Sequence, residues 1–331
     1  IPITEARAAL SEILDRIAGL RALVVGDICL DRWCTYSPAL AEPSRETGID
    51  RVAVTGTQIT AGAGGTVANN LRALGCGAVS VLGAAGDDGH GYELRQALAR
   101  VGTDASLLVI SPGPTFTYTK LLNAETGEED LGRIDFVSPP PLASIDREIV
   151  SRLLEAASRF DVILVADQAE TESGGVVTPA VREALAAIAA RRSSPVILVD
   201  SRMRIERFRN VIVKPNEREA AEACARLGVA GPRQLRETVG HSLMMVTRGP
   251  EGVLVMDGDK ETLVPTVPVD KPVDICGAGD SFAAGSALSL AAGATPVEAA
   301  RFGNMVTSIT IMKKGTGSAS PAEVLQAEMR L

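Results

Sequence analysis

The chain has 331 residues, 46% of them apolar and 22% charged, with a formal net charge of −8. It is long enough to bury a large core without a metal or disulfide staple. The negative balance, with no run of Lys or Arg, argues against nucleic acid and anionic membrane surfaces as partners, yet leaves room for a phosphorylated ligand held by a few local cations and backbone amides.

Residues 1–19 set Glu5, Arg7, Glu12, Asp15 and Arg16 among apolar positions, which predicts an amphipathic helix and not a signal peptide. Residues 21–27 (RALVVGD) read as a buried strand, and similar runs recur: AVSVLGAAG from Ala78, DVILVAD from Asp161, PVILVDS from Pro195, NVIVKPN from Asn210 and LMMVTRG from Leu243. Asp27, Asp167, Asp200 and Asn216 close four of these runs, as expected of parallel strands with polar groups at their carboxyl ends. Helical stretches lie between them (91–102, 149–160 and 181–192), the first with Gly102 as its C′ residue. Alternation of this kind predicts an α/β fold with a doubly wound, mostly parallel sheet whose ligand crevice lies beyond the strand carboxyl ends. The four polar strand ends are expected to meet there. No stretch is long and apolar enough to span a bilayer.

Two segments break the alternation. Residues 46–60 (ETGIDRVAVTGTQIT) and 115–136 (TFTYTKLLNAETGEEDLGRIDF) are rich in β-branched and turn residues and lack a helix between their strands. They predict a small second sheet inserted in one domain covering 1–331, either a lid over the crevice or a surface excursion. An exposed apolar face on it (Ile49, Val52, Val54, Phe116, Tyr118, Leu121) predicts a homodimer through the lid strands. The SPPP run at 138–141 reads as a rigid connector. Cys29, Cys34, Cys76, Cys224 and Cys276, with only His90 and His241 beside them, show no metal-ligand spacing. They place the chain in a reducing, cytoplasmic compartment.

Chemistry concentrates in VDICGAGDSFAAGSALSLAAG from Val273. Gly277, Ala278 and Gly279 precede an alanine-rich helix, where small residues let consecutive N–H groups point at an anion with the helix dipole behind them. Asp280 falls in the first turn. On spacing it either caps the helix or accepts a proton from a hydroxyl that attacks phosphorus. Further upstream, Gly64 and Gly65 precede a helix carrying Asn69 and Asn70, which suits either a hydroxyl-binding turn or an ordinary solvated helix. In KPNEREAAE from Lys214, Asn216 and Glu219 stand three apart, so they are either a capping box or a pair facing the crevice.

Together and in this order, the segments VVGDICLDRW, AGAGGTVANNLRALG, VIVKPNERE, VTRGPEG, DICGAGDSF and NMVTSITIMKKGTGSASP resemble the ribokinase family, the PfkB-type carbohydrate kinases, over essentially the whole chain. The resemblance implies ATP-dependent phosphoryl transfer to a sugar hydroxyl, with Asp280 as base and Gly277, Ala278 and Gly279 as the anion hole. It implies an acceptor pocket from Asp31, Gly64, Gly65 and Asn69. Asn216 and Glu219 would act on the magnesium and phosphate side, Thr247, Arg248 and Gly249 near the nucleotide, and Asn304 near the adenine. Asp274 and Ile275, with the loop from Gly315 to Ala319, would hold a monovalent cation, usually potassium.

GDICLDRW, GRIDF and KKGTGSASPAEV look most like the D-glycero-D-manno-heptose 7-phosphate kinase branch. Departures from that branch occur at PSRETG (43–48), DQAETESGG (167–175) and SRMR (201–204), where substrates are chosen, and the nucleotidyltransferase domain of its bifunctional members has no counterpart here. Lys120, Arg133, Arg202 and Arg204 are candidate phosphate contacts or ordinary surface charges. Fructose-, ribose- and adenosine-type acceptors stay open, as does a sugar- or nucleotide-binding sensor without turnover. A Rossmann dehydrogenase does not fit, because GDICLD and not GxGxxG follows the first strand, and no Walker motif occurs.

Overall fold

The computed structural model describes residues 3–329 apart from 138, 139, 172, 268 and 270, with side chains from residue 10 onward. The side chains of Glu5 and Arg7, Ser138 and Pro139 of the connector, and Glu172 therefore lie outside the described residues. The chain runs through α1 (Ile3–Ile17), β1 (Arg21–Gly26), β2 (Ile28–Tyr36), β3 (Val54–Ala63), α2 (Gly64–Ala73), β4 (Ala78–Leu82), β5 (Ala84–Gly86) and α3 (Gly89–Arg100). There follow β6 (Val109–Ser111), β7 (Thr117–Asn123), β8 (Ile134–Phe136), α4 (Ala143–Ala156), β9 (Val162–Asp167), α5 (Pro179–Ala189), β10 (Val196–Ser201) and β11 (Ile212–Val213). The last third holds α6 (Glu217–Leu227), α7 (Pro232–Val239), β12 (Leu243–Thr247), β13 (Val253–Asp257), β14 (Lys260–Val264), α8 (Ala278–Ala291), α9 (Pro296–Thr310) and α10 (Pro321–Glu328).

Among the described residues the main sheet has eight strands in the order β14-β13-β12-β11-β10-β9-β1-β4. It is parallel from β4 to β12, with an antiparallel hairpin, β13 and β14, at one edge. Successive side chains on a strand face opposite ways, and both faces here are covered. Ala22, Val24, Leu164 and Leu198 join a core with α2, α8 and α9 residues such as Leu71, Phe282 and Val306. Leu23, Val25, Ile163 and Val199 join a second core with Leu153, Val181, Ala220 and Leu235 of α4 to α7. That double burial is why these strands are unbroken apolar runs. Gly102, at φ +74°, follows the C-cap of α3 as the sequence predicts. Among the described residues no helix is long and apolar enough to cross a membrane.

A separate four-stranded sheet, β3-β2-β7-β8, forms the lid. Its boundaries correct the sequence reading in two ways. Its second strand, β2, follows β1 after a single residue, Asp27, and residues 46–53 contribute no strand. Cross-strand pairing explains the addition: β2 lies between β3 and β7 and pairs with both over most of its length. The expected apolar face also divides. Ile49, Val52 and Val54 are exposed, whereas Phe116 and Leu121 are buried. Leu121 packs with Cys34 and Tyr36 of β2.

Candidate active site

Two strand-end aspartates leave the expected set. Asp27 and Asp167 are almost fully buried. Asp27 accepts backbone N–H bonds from Gln168, Ala169 and Val176. Asp167 binds Ser201 Oγ at 2.6 Å and the Arg204 guanidinium, which removes Arg204 from the candidate phosphate contacts. Asp200 and Asn216 do meet, in a cavity of about 390 Å³ at the carboxyl ends of the strands.

That cavity is bordered by Gly277, Ala278, Gly279 and Asp280, and by Asn216, Glu219, Thr247, Gly249, Ile275 and Asn304. Gly277 is the N-cap residue of α8 in the left-handed conformation, φ +77°, and no side chain caps the helix. The first N–H groups of a helix have no intrahelical partner. Ala278 N–H bonds Ile275 O at 3.1 Å, which leaves the amides of Gly279 and Asp280 for an anion. Asp280 therefore does not cap α8, and its carboxylate takes no hydrogen bond among the described residues. Burial first, then the Asp200 charge, push it up to about 7 against the pull of Lys214 and Arg202. It can therefore hold or release a proton near neutrality.

Lys214, the first residue of KPNERE, lies beneath the anion cradle. It is 3% exposed, with Nζ 3.0 Å from Asp200 Oδ2. A Cβ on Gly279 would stand 3.6 Å from that Nζ. Burial works against the ammonium, but Asp200 and Glu219 outweigh it and raise its pKa, so the site keeps a fixed positive charge.

Asn216 and Glu219 form a capping box on α6, with Glu219 N–H to Asn216 Oδ1 at 2.9 Å and Asn216 N–H to Glu219 Oε2 at 2.8 Å. Both also border the cavity, so the two sequence alternatives hold together. Glu219 keeps Oε1 outside the cap, and burial raises its carboxyl. Thr247 bridges Asn216. Arg248 turns to Glu217 at 3.3 Å and does not border the cavity. Asn304 is buried, with Nδ2 on Val264 O and Pro265 O. Asp274 spends its oxygens on Cys276 N–H at 2.9 Å and Gly315 N–H at 3.0 Å, tying the loop after α9 to the segment that leads into the anion cradle. Ala319 is fully buried and Ile275 is exposed.

Of the residues expected on the acceptor side, Asp31 and Lys120 lie on the small sheet, Gly64, Gly65 and Asn69 on α2, and Arg202 just after β10. Asp31 sits mid-β2 opposite Thr60 and Tyr118. Burial raises its carboxyl, eased by Cys29, Lys120 and Arg133. Any Cβ at Gly62 would run into that carboxylate. Gly64 and Gly65 are buried, and missing side chains there make room for Ile28 and Ala61, so packing explains both glycines. Asn69 donates weakly to Thr60 Oγ1 and Ala61 O, while its buried Oδ1 has no partner among the described residues. Lys120 stands 4.0 Å from Glu129, Arg133 binds Asp135 at 2.7 Å over the Tyr118 ring, and Arg202 binds Glu170 at 2.6 Å. Of these cations only Arg202 borders the cavity.

The profile of the pfkB family carbohydrate kinases matches residues 21–323. The bifunctional protein HldE of Trichlorobacter lovleyi is 32% identical over 97% of this chain, and that of Geobacter metallireducens is 32% identical over 92%. The chain spans 65% and 62% of the length of these two relatives. Among solved structures, phosphofructokinase-2 of Escherichia coli in complex with potassium superposes with a TM-score of 0.73 at 21% identity, over 94% of this chain and 99% of that one. Ribokinase of Thermotoga maritima gives 0.69 at 21% identity, over 94% and 100%. The structural likenesses establish the fold, and the profile match establishes the family: this chain belongs to the pfkB family and is a carbohydrate kinase.

Proposed function

We propose that the chain phosphorylates a hydroxyl of a sugar phosphate of the heptose 7-phosphate kind, with ATP as donor and Asp280 as the base. The observation that carries this is an unpartnered carboxylate, held near neutral pKa, at the uncapped start of α8 beside a buried lysine. The likeness to the HldE proteins supports the acceptor class.

The residues present suit a nucleotide phosphate and a divalent cation, because the amides of Gly279 and Asp280 have no partner among the described residues and the buried ammonium of Lys214, paired with Asp200, adds positive charge beside them. Magnesium-bound ATP supplies the phosphoryl group and part of the charge neutralisation. Glu219 Oε1 would serve the cation side, and Asn216, Thr247, Gly249 and Asn304 the nucleotide side, with Arg248 further out. Asp274, Ile275, Gly315 and Ala319 are the candidates for a potassium site, through backbone oxygens since the Asp274 carboxylate is occupied. Asp280 takes the proton of the acceptor hydroxyl as that oxygen attacks, and the α8 amides with Lys214 receive the charge developing on the transferred group. Asp31 and the orphaned Asn69 Oδ1 fix ring hydroxyls. Arg202, which borders the cavity, and Lys120 and Arg133, whose charges act on Asp31, are the candidates for a remote phosphate that would supply binding energy for positioning.

Exposed Ile49, Val52, Val54, Ile134 and Phe136 support a homodimer through the lid, in a reducing cytoplasm where the five free thiols persist. Light scattering that gives a monomer at micromolar concentration would remove the dimer. The acceptor is tested by kcat/KM for heptose 7-phosphate, fructose 1- and 6-phosphates, fructose, ribose and adenosine under one set of conditions. We expect the phosphorylated sugars to lead. A clear preference for an unphosphorylated sugar or nucleoside overturns the acceptor class and leaves the family assignment untouched.

A further inference from the structure

We propose that Gln168 reads one hydroxyl of the acceptor and that Asp27 is the positioning residue that holds it there, an inference that rests on the sugar-acceptor reading above. Gln168 is the first residue after β9 and borders the same cavity as Asp280. It is 9% exposed, yet its side-chain amide has no hydrogen-bond partner among the described residues. Its amide atoms are accessible beside the cavity, not sealed in the interior, and they offer a donor and an acceptor together. A hydroxyl of a polyol needs both.

Its place in the sheet assigns it to the acceptor end. β9 lies between β10 and β1, and β1 leads directly into the small sheet. Asn216 and Thr247, on the nucleotide side, follow β11 and end β12, beyond β10 and Asp200. Gln168 thus borders the cavity from the β1 side, next to the small sheet that carries Asp31.

The loop that carries it is clamped by long-range bonds. Asp27 Oδ2 accepts the N–H groups of Gln168 at 2.9 Å and Ala169 at 3.0 Å, and Oδ1 accepts that of Val176 at 2.9 Å. Between those ends, Gly174 O accepts from Arg204 Nη1 at 3.2 Å. Gly175, at φ +77°, has no room for a Cβ beside the Asp27 carboxylate. Both carboxylate oxygens are needed as acceptors, so an amide at position 27 would turn a donor toward at least one N–H. The loop would shift, and Gln168 with it.

The test is a cycle of protein and ligand deletions. Wild type and Gln168→Ala are compared on the best acceptor of the panel and on its monodeoxy analogues, by turnover and by calorimetric binding. We expect Gln168→Ala to lose roughly 10- to 100-fold in kcat/KM on the parent sugar, and to lose nothing further on one deoxy analogue. Asp27→Asn should reproduce the acceptor loss, with the KM for ATP within about twofold of wild type and an unchanged circular dichroism spectrum. Gln168→Ala losses that are equal on every analogue overturn the reading role, and an ATP KM that moves with the acceptor KM in Asp27→Asn overturns the positioning role. If wild type binds these sugars but phosphorylates none, the acceptor reading fails by itself, and the binding ratios still decide for or against Gln168.

Discussion

Around the start of α8 the site comes from one short stretch of chain, Ile275 to Asp280, with Lys214 and Asp200 beneath it. The proposed acceptor side instead draws Asp31 from β2, Asn69 from α2, Gln168 from the loop after β9 and Arg202 from the loop after β10. The first end takes its geometry from a helix terminus, whose free amides exist whatever surrounds them. The second takes it from hydrogen bonds between distant segments, so its shape is a property of tertiary packing. Damage at the first end should therefore change chemistry with little cost to the fold. Damage at the second should change stability and acceptor binding together.

The largest expected effect belongs to the first end. Asp280→Asn keeps size and removes the basic lone pair, so kcat should fall by roughly 10²- to 10⁴-fold. The fold should gain. Folding raises the Asp280 pKa to about 7 from an ordinary 3.8, so the native state binds more protons and stability declines as pH rises across that window. At pH 8 the variant should melt above wild type, and a lower Tm would show that Asp280 supports the fold. In wild type, kcat/KM should rise with pH through about 7 on the acid limb, and a limb placed near 4 would mean that the carboxylate is solvated during turnover.

The second end gives the opposite signature. Arg204→Met strips the buried Asp167 of its guanidinium, which should cost about 3–5 kcal/mol in urea unfolding. Acceptor KM should rise, because the loop carrying Gly174 and Gln168 loses its inner anchor. A variant as stable as wild type would break the contrast between the two ends. Gly62→Ala is milder: its Cβ must push the Asp31 carboxylate aside, costing about 1–3 kcal/mol. Acceptor KM should increase more than the KM for ATP. The smallest effect is expected at Arg248→Ala, whose partner Glu217 is exposed. It should change stability by less than about 1 kcal/mol, and a large loss of ATP affinity would return Arg248 to the nucleotide site.

Legibility followed the same division. The parallel sheet was readable because both faces of each central strand are buried, which writes the strand as an apolar run. GAGD and KPNERE were readable because helix termini need small or polar residues at fixed offsets. β2 was not, since ICLDRWCTY alternates only partly and its partners, β3 and β7, come later in the chain. Asp27 resembled a crevice residue because a buried acceptor of backbone N–H groups and a ligand-binding carboxylate look alike at a strand end. Gln168 falls in the stretch 167–175, whose departure from the heptose 7-phosphate kinase branch marks a place where substrates are chosen, but only the tertiary structure shows its uncommitted amide beside the cavity.

Asp27 is the one residue between the last strand position of β1 and the first of β2, so it joins the main sheet to the lid while gripping the loop 168–176. Gly26 before it, at φ +142°, has its backbone pressed against Ala166 O, which leaves little slack on the main-sheet side. Mechanically, this makes the lid a lever whose fulcrum is bolted to the acceptor loop. A swing of β2 applies torque to the same carboxylate that sets Gln168. Lid stiffness and acceptor choice then share a single mechanical part, and neither can be retuned by mutation without disturbing the other.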